Sequence, residues 1–307
     1  MKDILVLVLI FSAQAPRVAS LLARNVVTAK ISLHNTIDSG TCGLRPTLPD
    51  NGTQELNTRV VGGFESVRNS WPSICSLRHS QYPDSHFCGA DLIKNLYGDY
   101  FMITAAHCVQ NNNQSSQYLA FCGVHNVSSR TEPHRIKVEF SNLRIHPFFN
   151  HTTLDYDVAI FSISTSVPTN EFISPVCLPY EDMLVGEKAI VVGWGSLRPE
   201  TPHARVLHQV TVPIMPRETC QSMYAADAVI TDRMFCAGLR SGGIDACDGD
   251  SGGPLYSYRL NEWNLIGIVS WGYGCADPGY TSVYTDVMVV RDWINRIINY
   301  LPDDIIG

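Results

Sequence analysis

The chain has 307 residues, 45% of them hydrophobic, and a formal net charge of -7 at pH 7. That apolar content can bury a core, so disorder is excluded as the default, and the length fits one large domain or two small ones. With 22 basic residues against 29 acidic ones, no basic surplus exists to hold nucleic acid or an anionic membrane.

At the N-terminus, Lys2 precedes an apolar run from Ile4 to Phe11 and then small residues, which is the layout of a secretory signal peptide. The run is too short to span a bilayer, and no later stretch reaches about 18 uninterrupted apolar residues, so a soluble exported product is expected. Signal cleavage falls after Ala15, with Pro16 next, or after Ser20; the sequence leaves both open, and residues 1–20 are assigned as signal. Residues 21–59 are polar, poor in aromatics and rich in turn formers such as Gly40-Thr41-Cys42-Gly43 and Pro49-Asp50-Asn51-Gly52, and read as a propeptide.

From Val60 the texture changes to short β-type runs broken by Gly, Pro, Asn and Ser. Tyr100-Phe-Met-Ile-Thr104, Ala189-Ile-Val-Val192 and Leu265-Ile-Gly-Ile-Val269 are examples, and many such runs favour an all-β sandwich or pair of barrels. Only the C-terminal end is predicted helical, with Val289, Val290, Trp293, Ile294, Ile297 and Ile298 forming a core-facing stripe. No internal repeat or low-complexity tract interrupts residues 60–307, which are expected to form one compact unit.

Ten cysteines in an exported chain indicate disulfides, and no pair has the close C-x-x-C spacing of a zinc knuckle. Sequons at Asn51, Asn113, Asn126 and Asn150 are candidate glycosylation sites.

The segment Asp245-Ala-Cys-Asp-Gly-Asp-Ser-Gly-Gly-Pro254 carries the chemistry. A serine between glycines can stand on a tight turn that exposes backbone N–H groups to a substrate carbonyl. Such a serine also needs a base, and the base an orienting group. Thr104-Ala-Ala-His-Cys108 ends one β-type run and Leu154-Asp-Tyr-Asp-Val-Ala-Ile160 begins another.

The T-A-A-H-C, D-V-A-I and G-D-S-G-G segments, in that order, resemble the trypsin and chymotrypsin family from residue 60 to about 300. The resemblance implies two packed six-stranded antiparallel β-barrels with a C-terminal helix. It implies Ser251 as nucleophile, His107 as general base and Asp157 as the group that orients the imidazole. Asp155 is a competing carboxylate and is expected to be a solvated loop charge. The oxyanion would be held by the N–H groups of Gly249 and Ser251, and Ser270, Trp271 and Gly272 would pair with the substrate backbone.

Arg59-Val60-Val61-Gly62-Gly63 resembles the family's activation site. Cleavage after Arg59, by a trypsin-like protease or by the enzyme itself, would free an ammonium on Val60 to pair with Asp250 and assemble the oxyanion site. By the same resemblance Cys88 pairs with Cys108, Cys247 with Cys275, and Cys220 with Cys236, while Cys42 with Cys177 keeps the propeptide attached. Cys75 and Cys122, the remaining two, are expected to pair on neighbouring strands.

Asp245 occupies the base of the family's specificity pocket, which implies cleavage after Arg or Lys. Gly272 is the expected glycine of one wall. On the other, a gap-free count from Cys275 puts Ser282 where a glycine belongs, narrowing the pocket; an insertion after Pro278-Gly279 would leave it open. Asp248 adds an acid at the rim, which would repel acidic substrate residues. No metal or cofactor is expected, since Gly123-Val124-His125 lacks the acidic start of the family's calcium loop. Partners would be protein or peptide substrates, the activator and protein inhibitors. A catalytically silent relative is the competing class, but it would be expected to lack a member of the set His107, Asp157, Ser251, Arg59, Val60 and Asp250.

Overall fold

A computed structural model of the protein describes residues 42–45, 63–198 and 200–300. The expected signal segment, the sequon at Asn51, the expected cleavage pair Arg59-Val60 and most of the expected propeptide lie outside these residues.

Strands β1 (Phe64–Glu65), β2 (Ile74–His79), β3 (Cys88–Lys94), β4 (Tyr100–Thr104), β5 (Tyr118–Cys122), β6 (Ile136–Ile145) and β7 (Ala159–Ile163) form the first half. Six of them close into an antiparallel barrel in the order β2-β3-β4-β7-β6-β5. Alternation sets the faces: Leu77, Ala90, Leu92, Met102, Ala120, Val138 and Phe161 point inward and form its core.

The second half contains β8 (Lys188–Gly193), β9 (His208–Pro213), β10 (Met234–Cys236), β11 (Pro254–Arg259), β12 (Glu262–Trp271) and β13 (Val283–Asp286). These are the six strands of the expected second barrel, but the sheet has seven, ordered β1-β9-β8-β11-β12-β13-β10. The extra strand, β1, comes from the start of the unit and pairs with β9 through Phe64↔Gln209. The two far strands of the expected barrel meet only through the bridge Ile214↔Ala237, because β10 is three residues long.

A third apolar layer joins the halves. Trp71, Ile103, Val192, Trp194 and Tyr256 pack with Val290, Ile294 and Ile298 of the C-terminal helix, α2 (Val287–Tyr300). Asp286 caps that helix, its Oδ1 accepting from Met288 N at 3.0 Å. Val289, counted in the apolar stripe, lies instead on the exposed side. A second helix, α1 (Arg217–Tyr224), was not predicted. Only Cys220, Met223 and Tyr224 face inward along its eight residues, too short a stripe to stand out.

Five disulfides join Cys42 to Cys177, Cys75 to Cys122, Cys88 to Cys108, Cys220 to Cys236 and Cys247 to Cys275. Cys75 and Cys122 are direct partners across β2 and β5. The segment around Cys42 is more than tethered: Gly43 N donates to Pro175 O at 2.9 Å, Trp263 N to Gly43 O at 3.1 Å, and the Arg45 guanidinium lies 3.2 Å from the Trp71 ring centre.

Replacing both Cys75 and Cys122 by alanine should lower unfolding stability by about 2–4 kcal/mol, since the bridge closes a loop spanning 47 positions of the denatured chain. Chemical denaturation of the two forms measures it; equal midpoints would show that the barrel does not rely on this bridge.

Candidate active site

Strand register brings the first two candidates together. Thr104 of β4 faces Ala159 of β7 in an antiparallel pair, so residues just past Thr104 face residues just before Ala159. His107 stands in a single 3₁₀ turn, Ala106–Cys108, and Asp157 two residues before β7. The imidazole Nδ1 lies 2.7 Å from Asp157 Oδ2, and the backbone N–H of His107 donates to Oδ1 at 2.8 Å. The Asp157 side chain is 0% exposed and that of His107 20%, so solvent reaches the ring but not the carboxyl.

The second half completes the carboxyl's shell. Ser270 Oγ donates to Asp157 Oδ2 at 2.5 Å, and Thr285 Oγ1 to Asp157 O at 2.9 Å. Ser270 owes its direction to a bulge, since β12 shifts register between Val269 and Trp271 and leaves it as the extra residue. Sequence reasoning gave Ser270 only a backbone role and did not find Thr285, because neither contact is local.

The serine turn packs against Gly89, Thr104 and the Cys108 sulfur, next to His107 in the chain. Gly89 N donates to Ser251 O at 2.8 Å, and a Cβ on Gly252 (φ +73°) would collide with Thr104 Oγ1 and Gly89 O. The turn engages the N–H groups of Asp250, Gly252 and Gly253 with Cys247 O, Val269 O and Asp250 O. Among the described residues, those of Gly249 and Ser251 donate to no backbone carbonyl. Gly249 adopts φ +95°, open to glycine at low cost, and the His203 ring lies close against it.

His86 holds the other side of Gly249, with Nε2 3.0 Å from its carbonyl and Nδ1 2.9 Å from Ser76 Oγ. Burial lowers the His86 pKa to about 4, against the opposing effect of the Gly249 bond. The ring is therefore neutral at pH 7 and donates from Nε2 while accepting from Ser76. Neither residue was singled out from the sequence, because the His86–Gly249 contact spans 163 positions of chain.

Asp250 turns inward, accepting from Gly195 N at 2.7 Å and Cys247 N at 3.0 Å. Burial raises its pKa to about 6, partly offset by those two N–H groups and reinforced by Asp245 and Asp248. It lines a cavity of about 30 Å³ together with Gly63, Gly193, Gly195 and Gln209. Gly63 is the residue where the described chain resumes after the Arg59-Val60 segment.

Asp245 faces Ser282. The carboxyl Oδ1 accepts from Ser282 N and Ala246 N, each at 2.9 Å, and the Ser282 hydroxyl also bonds it. A Cβ on Gly272 would lie 3.4 Å from Ser282 Cα, so the two residues face each other. Gly279 sits at φ +101° with open space around it. Burial raises the Asp245 pKa to about 6, opposed by the bonds from Ser282, Ala246 and Ala276. Trp271, next to Gly272, packs edge-on to Tyr224 at 4.9 Å. Asp248 is exposed.

The expectation that Asp155 is a solvated loop charge is incorrect. Its side chain is only 16% exposed, and it accepts from Thr231 Oγ1 at 2.6 Å, Arg233 Nε at 3.0 Å and Arg233 Nη2 at 2.5 Å. Burial pushes its pKa up, but the Arg233 and Thr231 bonds and the Arg233 charge outweigh this and hold it below the usual carboxylate range. Of the sequons described, Asn113 and Asn150 are exposed and Asn126 is half-buried.

The Trypsin family profile matches residues 60–294. A trypsin from Aedes aegypti, Trypsin 5G1, is 35% identical over 263 residues, covering 85% of this chain and 93% of the relative. Transmembrane protease serine 9 from Rattus norvegicus is 37% identical over 255 residues, covering 82% of this chain. The matched region spans 23% of that larger relative's length.

In the uncut chain Asp250 binds more protons folded than unfolded between pH 4 and 6, so its ionisation destabilises the fold as pH rises through that window. The melting temperature of Asp250→Asn minus that of the uncut parent should therefore increase from pH 4 to pH 7. A difference that stays flat would remove the buried-acid assignment.

Proposed function

The chain belongs to the trypsin family and is a trypsin-like serine peptidase, and on that premise we propose a secreted endopeptidase, made as a zymogen and activated by cleavage after Arg59. The observation that carries the catalytic reading is the buried Asp157 carboxyl, which grips His107 at both the ring and the backbone beside the Ser251 turn.

His107 takes the Ser251 proton as the hydroxyl oxygen attacks the scissile carbonyl, then passes it to the leaving amine. Asp157 keeps the proton on Nδ1, which leaves Nε2 as the basic atom that takes the serine proton. Charge on the tetrahedral oxygen is met by the N–H groups of Gly249 and Ser251, each worth about 3 kcal/mol in comparable sites. His86 supports this by bonding the Gly249 carbonyl and so fixing the peptide plane that precedes Asp250. Ser270, Trp271 and Gly272 offer the substrate backbone an edge at the end of β12.

Activation follows from the state of Asp250. A buried acid satisfied only by N–H groups gains when a cation arrives, and the adjoining cavity begins at Gly63, two residues beyond Val61. The freed Val60 ammonium enters there, pairs with Asp250 and orders Gly249 through the intervening turn. Asp245 selects Arg or Lys at the cut, with Ser282 narrowing the entrance and already bonded to the carboxyl it must yield. The exposed Asp248 disfavours acidic residues near the scissile bond.

Secretion rests on the N-terminal signal layout and the five disulfides. No helix among the described residues is long and apolar enough to cross a membrane. Glycans are proposed at Asn51, Asn113, Asn126 and Asn150, and the partners are protein or peptide substrates, an activating trypsin-like protease or a second copy, and protein inhibitors.

Cutting after Arg59, verifying a Val60 terminus and profiling a peptide library tests the reading. Turnover is expected only after the cut, after Arg or Lys, and is lost in Ser251→Ala. Ser282→Gly should raise kcat/KM for arginine substrates about tenfold, as the pocket widens. A preference for small apolar residues would refute basic specificity alone, and no turnover of any peptide would refute the protease. The Asp250 pH effect should also reverse on cleavage, because pairing with Val60 lowers its folded pKa and stability is then lost as pH falls.

A further inference from the structure

The residues leading into Asp157 hold an uncommon backbone. Leu154 and Tyr156 both have positive φ, +56° and +55°, and neither is glycine. A bulky side chain there is strained and persists only where the surroundings impose it. Asp155, between them, is the residue with the strongest outside attachment.

Thr231 and Arg233 both attach to Asp155 from the second half of the molecule, across 76 and 78 positions of chain. Arg233 meets the carboxyl through two nitrogens, the bidentate geometry that fixes direction as well as distance. Its guanidinium carbon also lies 4.8 Å from the Tyr156 ring centre, while His146 stacks on that ring at 4.4 Å. The segment is therefore pinned at both Asp155 and Tyr156, the two residues before Asp157.

Arg233 is itself tied to the strand pair that binds Asp157. It immediately precedes β10, whose Met234 is the partner of Thr285 on β13. Its carbonyl accepts from Asp286 N at 2.8 Å, next to the Thr285 hydroxyl that bonds Asp157 O. One short piece of sheet thus fixes the Asp157 main chain and, through Arg233, the strained approach to it.

We propose that the Asp155–Arg233–Thr231 clamp is a positioning device for the reaction: it holds the Leu154–Tyr156 backbone so that the Asp157 carboxyl meets His107 with both oxygens in register. The three residues touch no reacting atom and act through Asp157. This rests on the proposed catalytic role of Asp157 and His107. Without the clamp the two positive-φ residues relax toward ordinary conformations, the carboxyl rotates, and the imidazole loses its fixed tautomer and aim.

The test uses the full chain activated after Arg59, with parent, Arg233→Ala, Asp155→Asn, the double variant and Arg233→Lys. For Arg233→Ala, kcat should fall about tenfold or more while KM stays within about twofold, since alignment and not binding is lost. Arg233→Lys should recover part of kcat, and the double variant should be no worse than the poorer single one. The downfield proton resonance of His107 Nδ1–H should broaden in Arg233→Ala at a temperature where circular dichroism shows the fold intact.

A kcat within twofold of the parent, or an unchanged Nδ1–H resonance in folded protein, would overturn the clamp. If Arg233→Ala does not fold, Thr231→Val removes the bond to Asp155 and the longer one from Arg233 N and should lower kcat about threefold with KM unchanged; no change there also overturns it. The resonance requires no turnover, so an inactive parent refutes the protease reading while the clamp is still judged by the spectrum.

Discussion

A carboxyl group removed from water costs several kcal/mol unless donors meet its oxygens, and Asp157 is fully buried. His107 supplies two donors from the first barrel, and Ser270 a third from the second sheet. The shell closes only when the two halves are docked, so the apolar layer around Trp71, Trp194 and Tyr256 that joins them is also what makes the site possible. The bulge at Ser270 and the position of Thr285 on β13 are details of one sheet that matter because a residue of the other half depends on them.

The serine turn poses the opposite electrostatic problem. Asp245 and Asp250 lie within six positions, both are raised to about 6 by burial, and for Asp250 the charges of Asp245 and Asp248 add to the cost. Their oxygens are met by backbone N–H groups and Ser282, which leaves both acids short of a cation. A chain arranged this way is receptive to positive charge at two points, a terminal ammonium at Asp250 and a basic side chain at Asp245. The same imbalance thus serves activation and selectivity in the proposed reading.

Glycine is needed in this turn for a steric reason: Gly249 has φ +95°, and a Cβ on Gly252 would strike Thr104 and Gly89. Hence the Gly-Asp-Ser-Gly-Gly segment was readable without a structure. Disulfide neighbours were partly readable too, but Cys75 facing Cys122 follows from the β2–β5 register, which no local feature specifies. Helix α1 escaped notice because eight residues carry too little periodicity, and the seventh strand of the second sheet because β1 has only two residues.

The amino-acid order carries the set of groups and their local geometry: short alternating strands, a C-terminal apolar stripe, a glycine-flanked serine, and a histidine and an aspartate at strand ends. These are consequences of side-chain chemistry over a few adjacent residues. Tertiary structure alone decided which distant groups complete them. It set Ser282 against Gly272, His86 behind Gly249, Ser270 on Asp157, and Arg233 on an aspartate that would otherwise pass for a surface charge. Each of these contacts spans at least ten residues of chain, and most span far more. Nothing in a residue's own neighbourhood encodes such a partner; strand register and the docking of the two halves do.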